Sequence, residues 1–289
     1  MHKETKAKLS LLTSMFIFGT IGIFRRYIPL SSSVLAFFRA LIGTLFLLSI
    51  VCIKKTKLDA DAIKNNLFKL IISGIMIGFN WILLFEAYSY TSIACATLCY
   101  YMAPILVILA SPFIFKEKLT IKKAICTCIA FIGMIFVSGI FSPTFYIGDI
   151  KGIVFGLGAA LLYGSAVILN KTIVNINAYE KTIVQLASST LVLMPYCYVV
   201  DTFTFDFNIS IILLIIIVGI VHTGIAYALY FSTTAILDVQ TLALYSYIDP
   251  IVAIVLSITL LQEAMRPLEI IGAILILGAT IASDLNHKK

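Results

Sequence analysis

The sequence predicts an all-α integral membrane protein of ten transmembrane helices, arranged as two inverted five-helix repeats. Composition, the length of its apolar runs and an internal offset of the residue pattern carry that expectation. Of 289 residues, 61% are hydrophobic and 12% charged, and the mean hydropathy is +1.07. These values exclude a water-soluble domain and a disordered chain. A helix needs about 20 apolar residues to cross the hydrocarbon core. Ten runs near that length follow one another, at 9–28, 34–53, 67–90, 91–115, 121–141, 152–169, 182–200, 209–231, 239–261 and 267–283.

Each run is continuous rather than alternating, so the spans read as helices whose backbone bonds close within the segment, not as barrel strands. The first run could be a cleavable leader, but Arg25 and Arg26 follow residues 10–24 where a small-residue cleavage site would stand. It therefore reads as a retained span. The longest break, 54–66, has the size of a loop, which leaves no room for a soluble catalytic domain.

The basic residues set the expected orientation. With a cytoplasmic N-terminus, 16 of the 21 Lys and Arg fall in inside segments, four (Arg25, Arg26, Lys151, Arg266) fall outside and Arg39 lies within a span. Both termini are thus expected in the cytoplasm, in the plasma membrane of the cell. The net charge of +7 is a topology signal and gives no reason to expect a nucleic-acid partner, since no basic surface with interleaved aromatics lies outside the spans. The six cysteines, at 52, 95, 99, 126, 128 and 197, lie in or beside apolar runs and read as small hydrophobes. No disulfide is expected. Cys126 and Cys128 have no nearby His and their spacing turns them to different helix faces, so no metal is expected either.

The pattern repeats at an offset of 146 residues. Tyr101, Pro104, Ile105, Ile108, Ser111 and Glu117 return as Tyr247, Pro250, Ile251, Ile254, Ser257 and Glu263. Upstream the match weakens, with Gly19 on Gly164 and Arg26 on Lys171 at 145, and Arg39 on Gln185 at 146. The repeat boundaries are placed at 9–141 and 150–284. Because five is odd, the second copy enters the membrane from the opposite side, and the charges agree: four lysines surround Glu117 and only Arg266 lies near Glu263. Inverted repeats suit transport, because two similar halves can exchange roles at the two membrane faces.

Several segments are similar to the EamA domain of the drug/metabolite transporter superfamily. They are 81–91 (WILLFEAYSYT), 101–104 (YMAP) and 116–119 (KEKL), with 247–250 (YIDP) and 261–263 (LQE) in the second copy. The resemblance covers nearly the whole chain. It implies ten helices and carriage of small metabolites, often outward, with amino acids and related compounds as frequent substrates.

An ionisable group in mid-span costs at least about 2.5–3.5 kcal/mol on insertion scales, so each one needs a reason. From helix rise, Arg39 lies ~8 Å and Glu86 ~6 Å from the outer ends of their spans, so the two are expected to meet as a gate or substrate-clamping ion pair, or as a permanent structural one. Asp249 precedes Pro250 in mid-span where the first copy has Ala103 before Pro104. It is a candidate for solute or proton binding, or a protonated partner of a neighbouring helix. Pro104 and Pro250 are expected helix kinks, the latter freeing a backbone acceptor near Tyr245 or Ser246.

His222 is a candidate cavity residue or a hydrogen-bonded helix partner. Asn80 offers an amide to an amino-acid-like solute or to a neighbouring helix. Trp81, Tyr88, Tyr100, Tyr101, Tyr227, Tyr245 and Tyr247 are expected to line a cavity, although some tyrosines serve as interface anchors instead. Asp238 reads as solvated loop, and Glu117 and Glu263 as helix-end caps or pairs. Gly74 and Gly78, and Gly152 and Gly156, allow close helix approach.

The expected function is a secondary transporter of a small metabolite, an exporter with protons as the candidate coupling ion. Its partners are the solute, protons, membrane lipid and, as an open option, a second copy in a homodimer. No cofactor is expected. A glycine loop for ATP phosphates is missing, as are the paired Asp and the HExxH-like spacing that an intramembrane lipid-modifying enzyme would need. A membrane scaffold or sensor is the other alternative, and it has no need of inverted repeats.

Overall fold

The computed structural model describes residues 3–55, 58–114, 120–137, 141, 147–200, 208–234, 236–237, 245 and 248–284. The first half holds α1 (Lys3–Gly19), α2 (Ile21–Tyr27), α3 (Ser32–Lys54), α4 (Ala60–Tyr90), α5 (Ile93–Tyr100), α6 (Ala103–Ile114) and α7 (Ile121–Val137). The second holds α8 (Ile147–Lys171), α9 (Ala178–Val200), α10 (Ile209–Ile217), a π-helical segment (Val218–Ile225), α11 (Ala226–Thr234), α12 (Ile248–Leu260) and α13 (Pro267–Asp284). Among the described residues seven segments have the length and apolarity to cross a membrane: Glu4–Tyr27, Ser32–Lys54, Ala60–Tyr90, Ile93–Ile114, Asp149–Lys171, Ala178–Val200 and Ile209–Tyr230. Three shorter apolar helices, Ala124–Val137, Ile248–Leu260 and Pro267–Ala279, lie where the sequence places its fifth, ninth and tenth spans. The protein is an all-α, multi-pass membrane protein.

Side-chain caps satisfy the first amides of several helices, which lipid cannot do. Ser31 accepts from Val34 N at 3.4 Å, Asp59 from Ala62 N at 3.0 Å and Ser92 from Cys95 N at 3.0 Å. The Asp59 cap starts α4 at Ala60, seven residues before the expected span, because hydropathy senses only the lipid-facing part of a helix that begins in water. At the other end of the chain Gln262 closes α12 with φ 55°, and Glu263 N donates to Ser257 O at 3.1 Å. A left-handed residue with this bond is the usual way to end a helix, and it fixes the direction in which Glu263 leaves.

Two of the expected spans are interrupted. Thr20 separates α1 from α2, and Tyr101 and Met102 separate α5 from α6. Pro104 is the second residue of α6, so the break precedes the proline, in the turn where its missing N–H leaves a carbonyl without a helical donor. Pro250 is likewise in the first turn of α12, and Ser246 before it lies outside the described residues, as do Glu117, Asp238 and Tyr247.

Close approaches hold the bundle together. Gly19 sets α1 on α12, where a Cβ would stand 2.6 Å from Asp249 O, and Gly133 and Gly272 cross α7 on α13 backbone to backbone. Gly74 faces α9, Gly152 faces Thr91 and Gly156 faces α5, so these expected packing glycines serve contacts within the chain. The main apolar core joins α3, α4 and α9, a second joins α5, α7 and α13, and a third gathers Leu11 and Met15 of α1 with Leu237 and Tyr245. None of the six cysteines, all among the described residues, is in a disulfide.

Candidate functional site

Between the two halves lies a cavity of about 220 Å³. The interrupted spans shape it: α1 and α2 meet beside it, and the α5–α6 break places Tyr100, Tyr101 and Pro104 on its wall. Trp81, Leu84 and Tyr88 enter from α4, Tyr163 from α8, Tyr227 and Tyr230 from α11, and Asp249 from α12. Six tyrosines and a tryptophan thus surround two charged groups, Arg39 and Asp249. Such a wall offers apolar faces with polar tips, the usual make-up of a small-molecule site. A space of this size suits a small metabolite.

The Arg39 guanidinium lies over the Trp81 ring at 4.2 Å and 5.9 Å from the Phe85 ring. Its Nε donates to Thr223 Oγ1 at 2.9 Å. The expected pair with Glu86 does not form: among the described residues the ion pairs are Lys8 with Glu4 and Arg26 with Glu263. Equal depth along two helices does not fix azimuth. Trp81 and Phe85, one turn apart on α4, share the face toward Arg39, and Glu86 is a further 100° round the helix. Arg25, whose nitrogens donate to Ile28 O at 3.0 Å and Ser89 Oγ at 3.1 Å, lies in the field of Glu86 without forming an ion pair with it.

Asp249 lies beside Tyr101 in the cavity wall, in the electrostatic field of Arg39, which lines the same space. Tyr88 reaches the Thr97 hydroxyl at 3.3 Å. Three other expected site residues are placed elsewhere. Asn80 donates to Ala159 O at 2.6 Å, joining α4 to α8 on a different face from Trp81. His222, in the π-helical segment, meets Thr20 Oγ1 through Nε2 at 2.8 Å and the edge of Phe24 at 4.6 Å. Since the Thr20 hydroxyl proton goes to Ile17 O at 2.7 Å, His222 Nε2 is the donor of that pair. Tyr245 packs in the apolar cluster with Leu11 and Met15.

Sequence reasoning missed Tyr163, Tyr230 and Thr223. The first two were within reach of the repeat. Phe18 and Tyr163 are 145 apart, and Trp81 and Tyr227, Leu84 and Tyr230, and Ala103 and Asp249 are each 146 apart, and all eight line the cavity. Thr223 has no such signal, because it acts through the π-helical turn that aims it at Arg39.

Comparison with known proteins shows what the chain is similar to. The EamA-like transporter family matches residues 5–139 and again residues 150–283. A curated relative, an uncharacterized transporter, YxxF, of Bacillus subtilis (strain 168), is 32% identical over 258 residues, covering 88% of this chain and 82% of its own. A solved crystal structure superposes with a TM-score of 0.68 at 18% identity, covering 96% of both chains, which is a likeness of fold.

Proposed function

The chain belongs to the EamA-like transporter family, and from that premise we propose that it is a secondary carrier exporting a small amino acid or related amphipathic metabolite by alternating access. It is a multi-pass membrane transporter of the drug/metabolite type and not an enzyme. The observation that supports the finer reading is the cavity: one aromatic-walled space between the two halves, with one cation and one anion from different helices and a volume suited to a small solute. Inverted repeats at 9–141 and 150–284 would let each half act in turn as the moving wall. The lysine distribution supports cytoplasmic termini in the plasma membrane.

Asp249 supports proton coupling. It is an ionisable group on the wall of an intramembrane cavity, and such groups mark solute and proton routes. The Tyr101 hydroxyl beside it can donate to a carboxylate or accept from the acid, so it suits either protonation state.

Counterflow in proteoliposomes tests the carrier. Vesicles loaded with a mixed pool of amino acids and related metabolites, read by mass spectrometry with and without an imposed proton gradient, are expected to lose a subset of solutes faster under the gradient. Selective loss indifferent to the gradient would leave a facilitator or exchanger. An unchanged pool, extended to other metabolite classes, would refute carriage.

A further inference from the structure

We propose that the terminal nitrogens of Arg39 form the carboxylate-reading end of the cavity, held in place by Thr223 and Trp81, so that the cargo is a small solute bearing a carboxylate. The inference rests on the carrier reading above and names the chemistry of its site.

Arg39 is 5% exposed, yet it lines the cavity. Only its Nε has a protein acceptor, Thr223 Oγ1. Among the described residues Nη1 and Nη2 have no hydrogen-bond partner and no carboxylate lies within ion-pair distance of them. A cation removed from water needs an anionic partner. The Trp81 face at 4.2 Å offsets part of that requirement but leaves the guanidinium edge open. That edge presents two parallel N–H groups, which match the two oxygens of a carboxylate.

The π-helical segment explains the aim. Thr223 donates its own hydroxyl proton to Val218 O at 3.3 Å, five residues back, and so turns a lone pair to Arg39 Nε. The guanidinium is then held by a bond at Nε and by the Trp81 ring, which leaves its terminal nitrogens for a ligand in the cavity it lines. Asp249 lines the same cavity from α12 but makes no ion pair with Arg39, so it does not neutralise the guanidinium by contact. One cation opposed by one anion suits a monocarboxylate or a zwitterion with its cationic group toward Asp249. It does not suit a dianion such as a phosphate monoester.

The test uses the full chain in proteoliposomes with two matched pools: small α-amino, α-hydroxy and unsubstituted carboxylic acids, and their primary amides. Wild type is expected to exchange the preferred acids at least about tenfold faster than their amides, the scale of one charge-assisted pair. Arg39→Gln brings that ratio close to one. Thr223→Val raises the half-saturation concentration for acids with little change in maximal rate, and Thr223→Ser restores it, which loss of helix packing alone would not produce. Amides exchanged as fast as acids by wild type, or a preference that survives Arg39→Gln, would overturn the assignment. If neither pool moves while another solute does, the carboxylate inference falls and the carrier stands. If no solute of any class moves, both fall.

Discussion

Arg39 and Asn80 show how much a single position tells. Both stood out because a charged or amide side chain inside a span needs a reason. For Asn80 the reason is a neighbouring backbone, Ala159 O, and for Arg39 it is a cavity. Composition could not separate the two, because which neighbour a side chain meets depends on rotation about the helix axis. Asp249 was legible in another way, as the one member of its repeated pair, with Ala103, that carries charge. If it carries the coupling proton, Asp249→Asn is expected to abolish uphill movement driven by a proton gradient while solute-for-solute exchange continues at a measurable rate. Gradient-driven accumulation at the wild-type level in that variant would remove Asp249 from the coupling scheme.

The elements that build the site are the irregular ones. α5 and α6 part at Tyr101 and Met102, α1 and α2 part at Thr20, and the span from Ile209 carries a π-helical turn. Hydropathy passes over all three breaks, because a bent or over-wound helix is as apolar as a straight one. Only the first announced itself, through Pro104. π-helical turns are uncommon and concentrate at functional sites, in keeping with the Thr223 contact.

Glu263 has a comparable role at the end of α12. Its carboxylate pairs with Arg26, accepts from the Ser257 hydroxyl and accepts at 2.9 Å from Ile93 N, the first amide of α5. The Arg26 side chain is 46% exposed against 14% for Glu263, so the ion pair itself is worth no more than about 1 kcal/mol. Arg26→Ala should therefore lower the unfolding midpoint in detergent slightly. Glu263→Ala also removes two hydrogen-bond acceptances and should cost about 2 kcal/mol or more. Equal losses in the two variants would mean that the carboxylate acts through Arg26 alone.

At the scale of the whole molecule, the cavity is lined in pairs that the sequence repeat relates, and the two halves contribute unequal chemistry. Phe18 faces the same space as Tyr163, and Ala103 the same space as Asp249. The neighbours of the repeat-related glycines correspond as well, with Gly19 close against Asp249 O and Gly164 in ordinary contact with Ala103 O. The proposed opposed insertion of the halves makes a direct prediction. In a chain whose six native cysteines are replaced, cysteines introduced at Lys151 and Arg266 should react with an impermeant maleimide in intact cells. Those at Lys6 and Lys64 should react only after the membrane is opened, and the reverse pattern would invert the orientation.

The sequence by itself determined that the chain lives in a bilayer, roughly where its helices run and that its pattern repeats. Transfer to lipid depends on apolarity summed along a segment, and that sum is written in consecutive residues. Tertiary structure alone decided which side of each helix meets which neighbour: Arg39 with Thr223 and Trp81 rather than Glu86, Asn80 with α8, His222 with Thr20. Those choices follow from the rotation of each helix about its axis, which close packing against several other helices fixes at once and which no single segment encodes.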